Sequence, residues 1–230
     1  MNTPEHLNKT KKNRTTDTAI NKEKPFHHIA IAGNIGSGKT TLTALLSKNM
    51  NWTPCFEGVD NNPYLNDFYN DMARWSFNLQ VYFLNKRLLQ IIDIHKSGEN
   101  VIQDRTIYED AQIFALNLHE MGLMPSRDFE NYYSLFLLTM SLITPPDLII
   151  YLRSSVAKLV NQIQKRGRVY ENTIRIDYLN SLNQKYEEWA QNYNSGKLIT
   201  VNIDNHDFEN NPEDLRYIIN LIDAELRGLF

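Results

Sequence analysis

The segment that most constrains this chain is a glycine-rich loop between a predicted strand and a predicted helix. Residues 33–40 read G-N-I-G-S-G-K-T and match the phosphate-binding pattern G-x-x-x-x-G-K-S/T. A short apolar run precedes the loop, and leucines at helical spacing follow it. In this setting backbone N–H groups converge on phosphate oxygens, the lysine adds a charge and the threonine can bind Mg²⁺. The residues predicted to bind the nucleotide are Gly33, Asn34, Ile35, Gly36, Ser37, Gly38, Lys39, Thr40 and Thr41.

Short apolar runs recur along the chain and predict five strands, at residues 27–33, 52–57, 100–104, 148–152 and 198–203. Helical patterns lie between them, which indicates a parallel sheet. One such helix has a predicted core face made of Phe129, Tyr132, Tyr133, Phe136, Leu137 and Met140. We expect an α/β fold with a P-loop NTPase-type five-stranded parallel sheet flanked by helices. Residues 1–24 are predicted to form a disordered polar tail, and residues 25–230 a single domain.

Composition narrows the partners of the chain. The 230 residues carry a net charge of −3, which argues against binding polymeric nucleic acid. A single cysteine, Cys55, excludes an intrachain disulfide and favours a reducing compartment such as the cytoplasm. Because no apolar run approaches the roughly 18 residues of a membrane helix, no membrane partner is expected.

Charged residues stand at the ends of two of the predicted strands. In open parallel sheets ligands gather at the carboxyl ends of strands, so Glu57 could accept a proton from a substrate hydroxyl there. A solvated loop glutamate is an equal alternative on position alone. Asp104 and Arg105 end the third strand, where the acid could hold Mg²⁺ and the arginine could neutralise a phosphoryl group. An ordinary ion pair in a turn explains them equally well.

A basic segment, K-R-G-R, follows the helix after the fourth strand. Arg166 and Arg168 flank Gly167, which suits a short lid that closes arginines over a phosphate. A solvated basic patch is the alternative. In the aromatic-rich segment 64–87, Gln80 and Arg87 stand seven residues apart and therefore lie on one helix face. An amide on such a face suits the edge of a nucleobase.

Six motifs in this order resemble the deoxynucleoside kinase family. They are G-N-I-G-S-G-K-T, F-E-G-V, P-Y-L-N-D-F-Y, R-W-S-F-N-L-Q, D-R-T-I-Y-E-D and K-R-G-R-V-Y-E, and together they cover about residues 28–205. The bacterial purine-type members are the most similar. The sequence departs from many members at Gly58, Asn62 and Gln162.

The resemblance implies a reaction and a role for each site residue. Expected catalytic residues are Glu57 as the base for the 5′-hydroxyl, Lys39, Arg105, Arg166 and Arg168. Expected substrate-binding residues are Glu57, Tyr69, Gln80, Arg87, Arg105, Asp110, Phe114 and Glu171, of which Tyr69 and Glu171 would bind the sugar 3′-hydroxyl. Thr40 and Asp104 would hold Mg²⁺. The implied reaction is ATP-dependent phosphorylation of a deoxynucleoside, with a purine favoured because Arg87 and Asp110 match the pair of purine- and cytidine-accepting members. A homodimer is the expected assembly.

Two other classes stay open at this point. A thymidylate kinase-like enzyme shares the loop, the D-R dipeptide and the lid, although Glu57 suits a neutral acceptor better than a monophosphate. A nucleotide-dependent switch would need N-K-x-D, whereas residues 85–88 read N-K-R-L.

Overall fold

The fold is built on a five-stranded sheet. The computed structural model describes residues 26–58 and 62–227, so the predicted tail at residues 1–24 lies outside the described residues. The strands are β1 (His28–Gly33), β2 (Thr53–Cys55), β3 (Val101–Asp104), β4 (Leu148–Arg153) and β5 (Lys197–Asn202). They pair in the order β2-β3-β1-β4-β5, and every pairing is parallel. The predicted parallel sheet is therefore confirmed.

Helices connect the strands. They are α1 (Lys39–Met50), α2 (Leu65–Asn70), α3 (Met72–Ser97), α4 (Ile107–Glu109), α5 (Leu116–Glu120), α6 (Ser126–Met140), α7 (Val156–Arg166), α8 (Ile176–Asn192) and α9 (Pro212–Arg227). A π-helical turn, Asp110–Ala115, joins α4 to α5, and a 3-10 helix, Val169–Thr173, follows α7. Within residues 26–58 and 62–227, no helix combines the length and the apolar character that crossing a membrane requires.

The two faces of β1 pack into two separate cores. Ile29 and Ile31 belong to a cluster with Leu42 of α1 and Ile218 of α9. Ala30 and the rest of the opposite face belong to a larger, aromatic-rich cluster that α3, α6 and α8 complete. Because both faces of the strand are covered, its sequence is apolar throughout rather than alternating.

The second strand is shorter than predicted. The sequence indicates residues 52–57, but β2 ends at Cys55, and Glu57 lies two residues past it. As an edge strand β2 pairs only with β3. Beyond Cys55 the carbonyl of Phe56 accepts a hydrogen bond from Gln90 Nε2 at 2.7 Å instead of from a neighbouring strand. A side chain of α3 therefore replaces the sheet as the partner of this segment.

The predicted core face of α6 is correct except at one position. Tyr132 and Phe136 are buried, and Phe129, Tyr133 and Met140 pack partly against the core. Leu137, however, is 54% exposed. A 3.6-residue period places Leu137 at the edge of the predicted apolar face, where the packing of neighbouring elements decides whether a side chain is buried.

Candidate active site

The phosphate loop, residues 33–40, connects β1 to α1. Gly36 and Gly38 both adopt φ of 85°, in the left-handed region that favours glycine. The Lys39 ammonium donates hydrogen bonds to the carbonyls of Gly33, at 2.8 Å, and Asn34, at 3.0 Å. Burial, followed by the charge of Arg105, lowers the pKa of Lys39 to about 8, so its ammonium is still mostly protonated at neutral pH.

Close packing explains why the loop needs glycine at position 36. A Cβ there would lie 2.8 Å from the backbone oxygen of Leu159 and 2.9 Å from Ile163, both on α7. A Cβ at Gly38 would meet the ring of Phe208 at 3.1 Å. The loop is therefore clamped between α7 and the segment that follows β5.

A cavity of about 650 Å³ opens at the carboxyl ends of the strands. Its lining includes most of the residues predicted from sequence: Ile35, Gly36, Ser37, Gly38, Lys39, Thr40, Thr41, Glu57, Tyr69, Gln80, Asp104, Arg105, Asp110, Phe114, Arg166, Arg168 and Glu171. Gly33, Asn34 and Arg87 do not line the cavity. The fold thus gathers residues from seven segments around one space at the sheet edge where ligands of parallel sheets bind.

Glu57 is held by two arginines. Its Oε1 lies 2.5 Å from Arg105 Nε and 3.2 Å from Arg87 Nη2. Arg87 Nε also contacts Asp110 Oδ2 at 3.2 Å. Burial would raise the pKa of Glu57, but the charges of Arg105, Arg87 and Lys39 outweigh burial and lower it. Glu57 is therefore ionised at neutral pH, and its side chain keeps 14% exposure toward the cavity.

The backbone of Arg105 is strained. Its φ of 72° lies in the left-handed region, which costs a non-glycine residue about 1–2 kcal/mol. The backbone N–H of Arg105 donates to Ile31 O at 2.9 Å, and its guanidinium lies 4.6 Å from the centre of the Phe114 ring. Such strain persists where the surroundings fix a residue, and it is typical of functional sites.

Asp104 has the chemistry of a cation ligand. Its Oδ2 accepts a hydrogen bond from Thr40 Oγ1 at 2.6 Å, while its buried Oδ1 has no hydrogen-bond partner among the described residues. Burial, followed by the charge of Glu57, raises the pKa of Asp104. Carboxylate and hydroxyl oxygens suit Mg²⁺, which usually takes one or two protein ligands and completes its shell with water and phosphate. In the described part of the chain no cluster of three or more acidic, His or Cys side chains could hold a metal alone.

The other end of the cavity is aromatic with a few polar atoms. Gln80 is buried on α3, and its Oε1 has no hydrogen-bond partner within the described ranges. The Tyr69 ring stacks on Tyr170 with centroids 5.9 Å apart. Phe114, on the π-helical turn, adds a third ring to this wall. Flat apolar walls with a buried amide suit a planar, hydrogen-bonding ligand.

The two arginines after the fourth strand are paired with one glutamate. Arg166 donates to both carboxylate oxygens of Glu171, with Nε at 3.0 Å from Oε2. Arg168 Nη1 lies 3.6 Å from Glu171 Oε1. Gly167, with φ of 68°, ends α7 between them. The segment therefore presents two cations at the rim of the cavity.

Sequence reasoning missed two parts of the site. Lys158, Ile203, His206, Asp207, Phe208 and Glu209 line the cavity beside the phosphate loop. Ile203 ends the last predicted strand and residues 206–209 follow it, which was a usable signal because ligands gather at strand ends. Lys158 lies on α7 and had no such signal. Glu109, in the D-R-T-I-Y-E-D motif, is buried under the arginine cluster and had no signal beyond that motif.

Comparison with known proteins identifies the class and then the family. The fold is that of a P-loop kinase, and residues 29–226 match the family model for deoxynucleoside kinase. The chain belongs to the deoxynucleoside kinase family and is a kinase. This family match favours neither the thymidylate kinase-like enzyme nor the nucleotide-dependent switch.

Several relatives align with most of this chain. A deoxyadenosine/deoxycytidine kinase of Bacillus subtilis (strain 168) is 37% identical over 198 residues, covering 84% of this chain and 90% of that protein. A deoxyadenosine kinase of Dictyostelium discoideum is 41% identical over 192 residues, covering 84% and 77%. The structure of deoxyadenosine kinase from M. mycoides with bound dATP superposes with a TM-score of 0.75 at 32% identity, covering 86% of this chain and 99% of that one.

The clamp on the phosphate loop can be tested by alanine at two glycines. Gly36→Ala and Gly98→Ala both force a left-handed backbone, which costs about 1–2 kcal/mol. Only at Gly36 does the new methyl meet backbone within 3 Å, whereas nothing lies within 4 Å of it at Gly98. We expect Gly36→Ala to lower the free energy of unfolding by about 1–3 kcal/mol more than Gly98→Ala, measured by urea titration. Equal losses would contradict the clamp.

Proposed function

We propose that the protein transfers the γ-phosphoryl group of ATP to the 5′-hydroxyl of a deoxynucleoside, with a purine base preferred, and so serves nucleotide salvage. The observation that carries this proposal is the ionised Glu57, held between Arg105 and Arg87 and facing the same cavity as the phosphate loop. A base for a neutral hydroxyl and a holder for phosphates thus share one space.

The phosphate loop would form the donor end of the site. Lys39 and the loop amides would bind the phosphates of ATP, and Arg166 and Arg168 would leave Glu171 to contact the transferred group. Thr40 and Asp104 would hold Mg²⁺, which the unpartnered Asp104 Oδ1 supports. When bound, the ion would offset negative charge on the donor phosphates. Cations in a buried site act strongly because little water screens them.

Glu57 would serve the acceptor end. Both arginines contact its Oε1, so we propose that Oε2 accepts the proton of the 5′-hydroxyl. The hydroxyl oxygen forms a bond to the γ-phosphorus while the bond from that phosphorus to ADP breaks. A positioned base of this kind contributes roughly 10²–10⁴-fold in rate. Tyr69 and Glu171 would bind the sugar 3′-hydroxyl.

The base would lie between the aromatic walls. Phe114 would stack on it, and Gln80 would hydrogen-bond its edge. The Arg87–Asp110 pair, which shares the cluster with Glu57, supports a purine or cytosine over thymine. Relatives named for deoxyadenosine and deoxyguanosine support the purine, while the Bacillus subtilis relative is also named for deoxycytidine.

We extend the proposal to a cytoplasmic homodimer. ATP and a lone free cysteine suit a reducing cytoplasm. Leu135 and Leu138 are exposed one helical turn apart on α6, and Leu142 is exposed two residues past the end of that helix. Leu89 of the neighbouring α3 is exposed as well. Such a concentration of apolar side chains is typical of a protein interface.

Glu57→Gln tests the base. We expect nucleoside binding within a few-fold of wild type and a loss in kcat of about 10²–10⁴-fold, because the amide cannot take up the proton. Binding is measured by calorimetry and turnover by ADP release. Glu187→Gln is the matched control, since Glu187 pairs with Arg153 but lies outside the cavity. Near-wild-type turnover by Glu57→Gln would show that Glu57 is not the proton acceptor.

A panel of four deoxynucleosides with ATP and Mg²⁺ tests base choice. We expect kcat/KM for deoxyadenosine or deoxyguanosine to exceed that for thymidine by roughly 10²-fold or more. Asp110→Asn should reduce this ratio because it disturbs the Arg87 pair, while Asp128→Asn, at an exposed Arg–Asp pair on α6, should leave it unchanged. Thymidine as best substrate would refute the purine preference, and equal losses for all bases would make Asp110 merely structural.

Light scattering after gel filtration tests the dimer. We expect wild type to have twice the 26.9 kDa chain mass. Leu138→Glu combined with Leu142→Glu should give a monomer, because two charges would be buried in the apolar interface. Ile176→Glu is the control, because Ile176 is exposed on α8, and this variant should remain dimeric. A wild-type monomer, or a dimer unaffected by the double change, would contradict the proposed surface.

A further inference from the structure

Glu109 is a buried carboxylate with four hydrogen-bond donors around it. Its Oε1 accepts from the Gly33 N–H at 3.0 Å, from the Tyr186 hydroxyl at 2.7 Å and from Arg105 Nη1 at 3.3 Å. Its Oε2 accepts from the Thr106 N–H at 2.6 Å. The side chain has no exposed surface and does not line the cavity. It therefore joins the first residue of the phosphate loop to Arg105 without reaching a ligand.

We propose that Glu109 is a positioning residue that fixes the Arg105 guanidinium, and through it Glu57, relative to the phosphate loop. Arg105 is held by a carboxylate on each side: its Nε contacts Glu57 Oε1 at 2.5 Å and its Nη1 contacts Glu109 Oε1. Two contacts at different nitrogens set both the plane and the rotation of the group.

The rest of the Arg105 environment depends on the same carboxylate. The Tyr186 hydroxyl donates a hydrogen bond to Glu109, which leaves its oxygen free to accept one from Arg105 Nη1 at 3.0 Å. The Phe114 ring covers one face of the guanidinium but cannot fix its rotation. Without the Glu109 charge, Arg105 keeps Glu57 as its single carboxylate partner. The guanidinium can then rotate, and the proton acceptor moves away from the phosphate loop.

This inference rests on the proposed function, and Glu109→Gln tests it. The amide has nearly the same shape but presents a neutral group to Arg105. We expect kcat to fall about 10–100-fold, as for small displacements of reacting groups. The KM for the nucleoside should stay within about threefold, because Glu109 does not contact the cavity. Tyr186→Phe is a milder variant that removes the two hydrogen bonds of the Tyr186 hydroxyl but keeps the Glu109 charge, and its kcat should fall about 2–10-fold with KM unchanged.

Thr106→Ala is the control for a merely structural role. Glu109 also completes a capping box, since its backbone N–H donates to Thr106 Oγ1 at 3.3 Å. Thr106→Ala removes that bond but keeps the Thr106 N–H that binds Glu109. We expect a lower Tm with kcat within about twofold of wild type. If Thr106→Ala lost as much kcat as Glu109→Gln, or if Glu109→Gln and Tyr186→Phe both retained wild-type kcat, the positioning role would be wrong.

The crystal structure of Glu109→Gln gives a readout that needs no substrate. The proposal predicts that Arg105 Nε moves out of hydrogen-bond distance of Glu57 Oε1. An unchanged contact at about 2.5 Å would overturn it. If wild type phosphorylated no deoxynucleoside, the proposed function would fail, and this structure would still decide the positioning of Arg105.

Discussion

The buried ion pair between Arg105 and Glu57 is the interaction on which the rest of the site depends. Burying a charge costs several kcal/mol unless it is paired, and this contact of 2.5 Å is the shortest that either side chain makes to an opposite charge, with Arg87 and Glu109 as the further partners. Arg105 holds a strained left-handed backbone and lies over the Phe114 ring, which restricts where its guanidinium can lie. Glu57 comes from a segment beyond the short edge strand β2, and it relies on side-chain contacts because no neighbouring strand holds it. The pair thus joins an irregular segment to the carboxyl end of β3.

The charges around this pair affect the protonation of the other carboxylates in the site. Four carboxylates, those of Glu57, Asp104, Glu109 and Asp110, lie among three cations, Lys39, Arg87 and Arg105. The surplus of acid is costly in a buried site, and burial raises the pKa of Asp104 and that of Asp110, the latter to about 6. Glu57 escapes this because two arginines share its Oε1. A divalent cation beside Asp104, as proposed above, would more than offset this surplus of one negative charge.

Local sequence signals predicted the fold, whereas contacts between residues far apart in the sequence could not be predicted from them. The strand–loop–helix around Gly36 could be predicted because eight adjacent residues determine it. The parallel sheet could be predicted from short apolar runs that alternate with helical patterns. Most predicted site residues line one cavity because strand ends meet at one edge of the sheet. The end of β2 was predicted wrongly because Gln90, 34 residues away, determines it. Glu109 was missed because its partners, Gly33 and Tyr186, are 76 and 77 residues distant. Apolar periodicity alone likewise could not show that Leu137 faces outward.

Product analysis of the wild-type enzyme tests the central claim most directly. ATP and Mg²⁺ are incubated with and without saturating deoxyadenosine or deoxyguanosine, and ADP and any deoxynucleoside 5′-monophosphate are quantified by chromatography and mass. The account predicts one 5′-monophosphate for each ADP, and ADP release without nucleoside slower by about 10²-fold or more, because the role proposed for Glu57 is to activate a sugar hydroxyl rather than water. Equal ADP release with and without the nucleoside, with no monophosphate formed, would contradict the account.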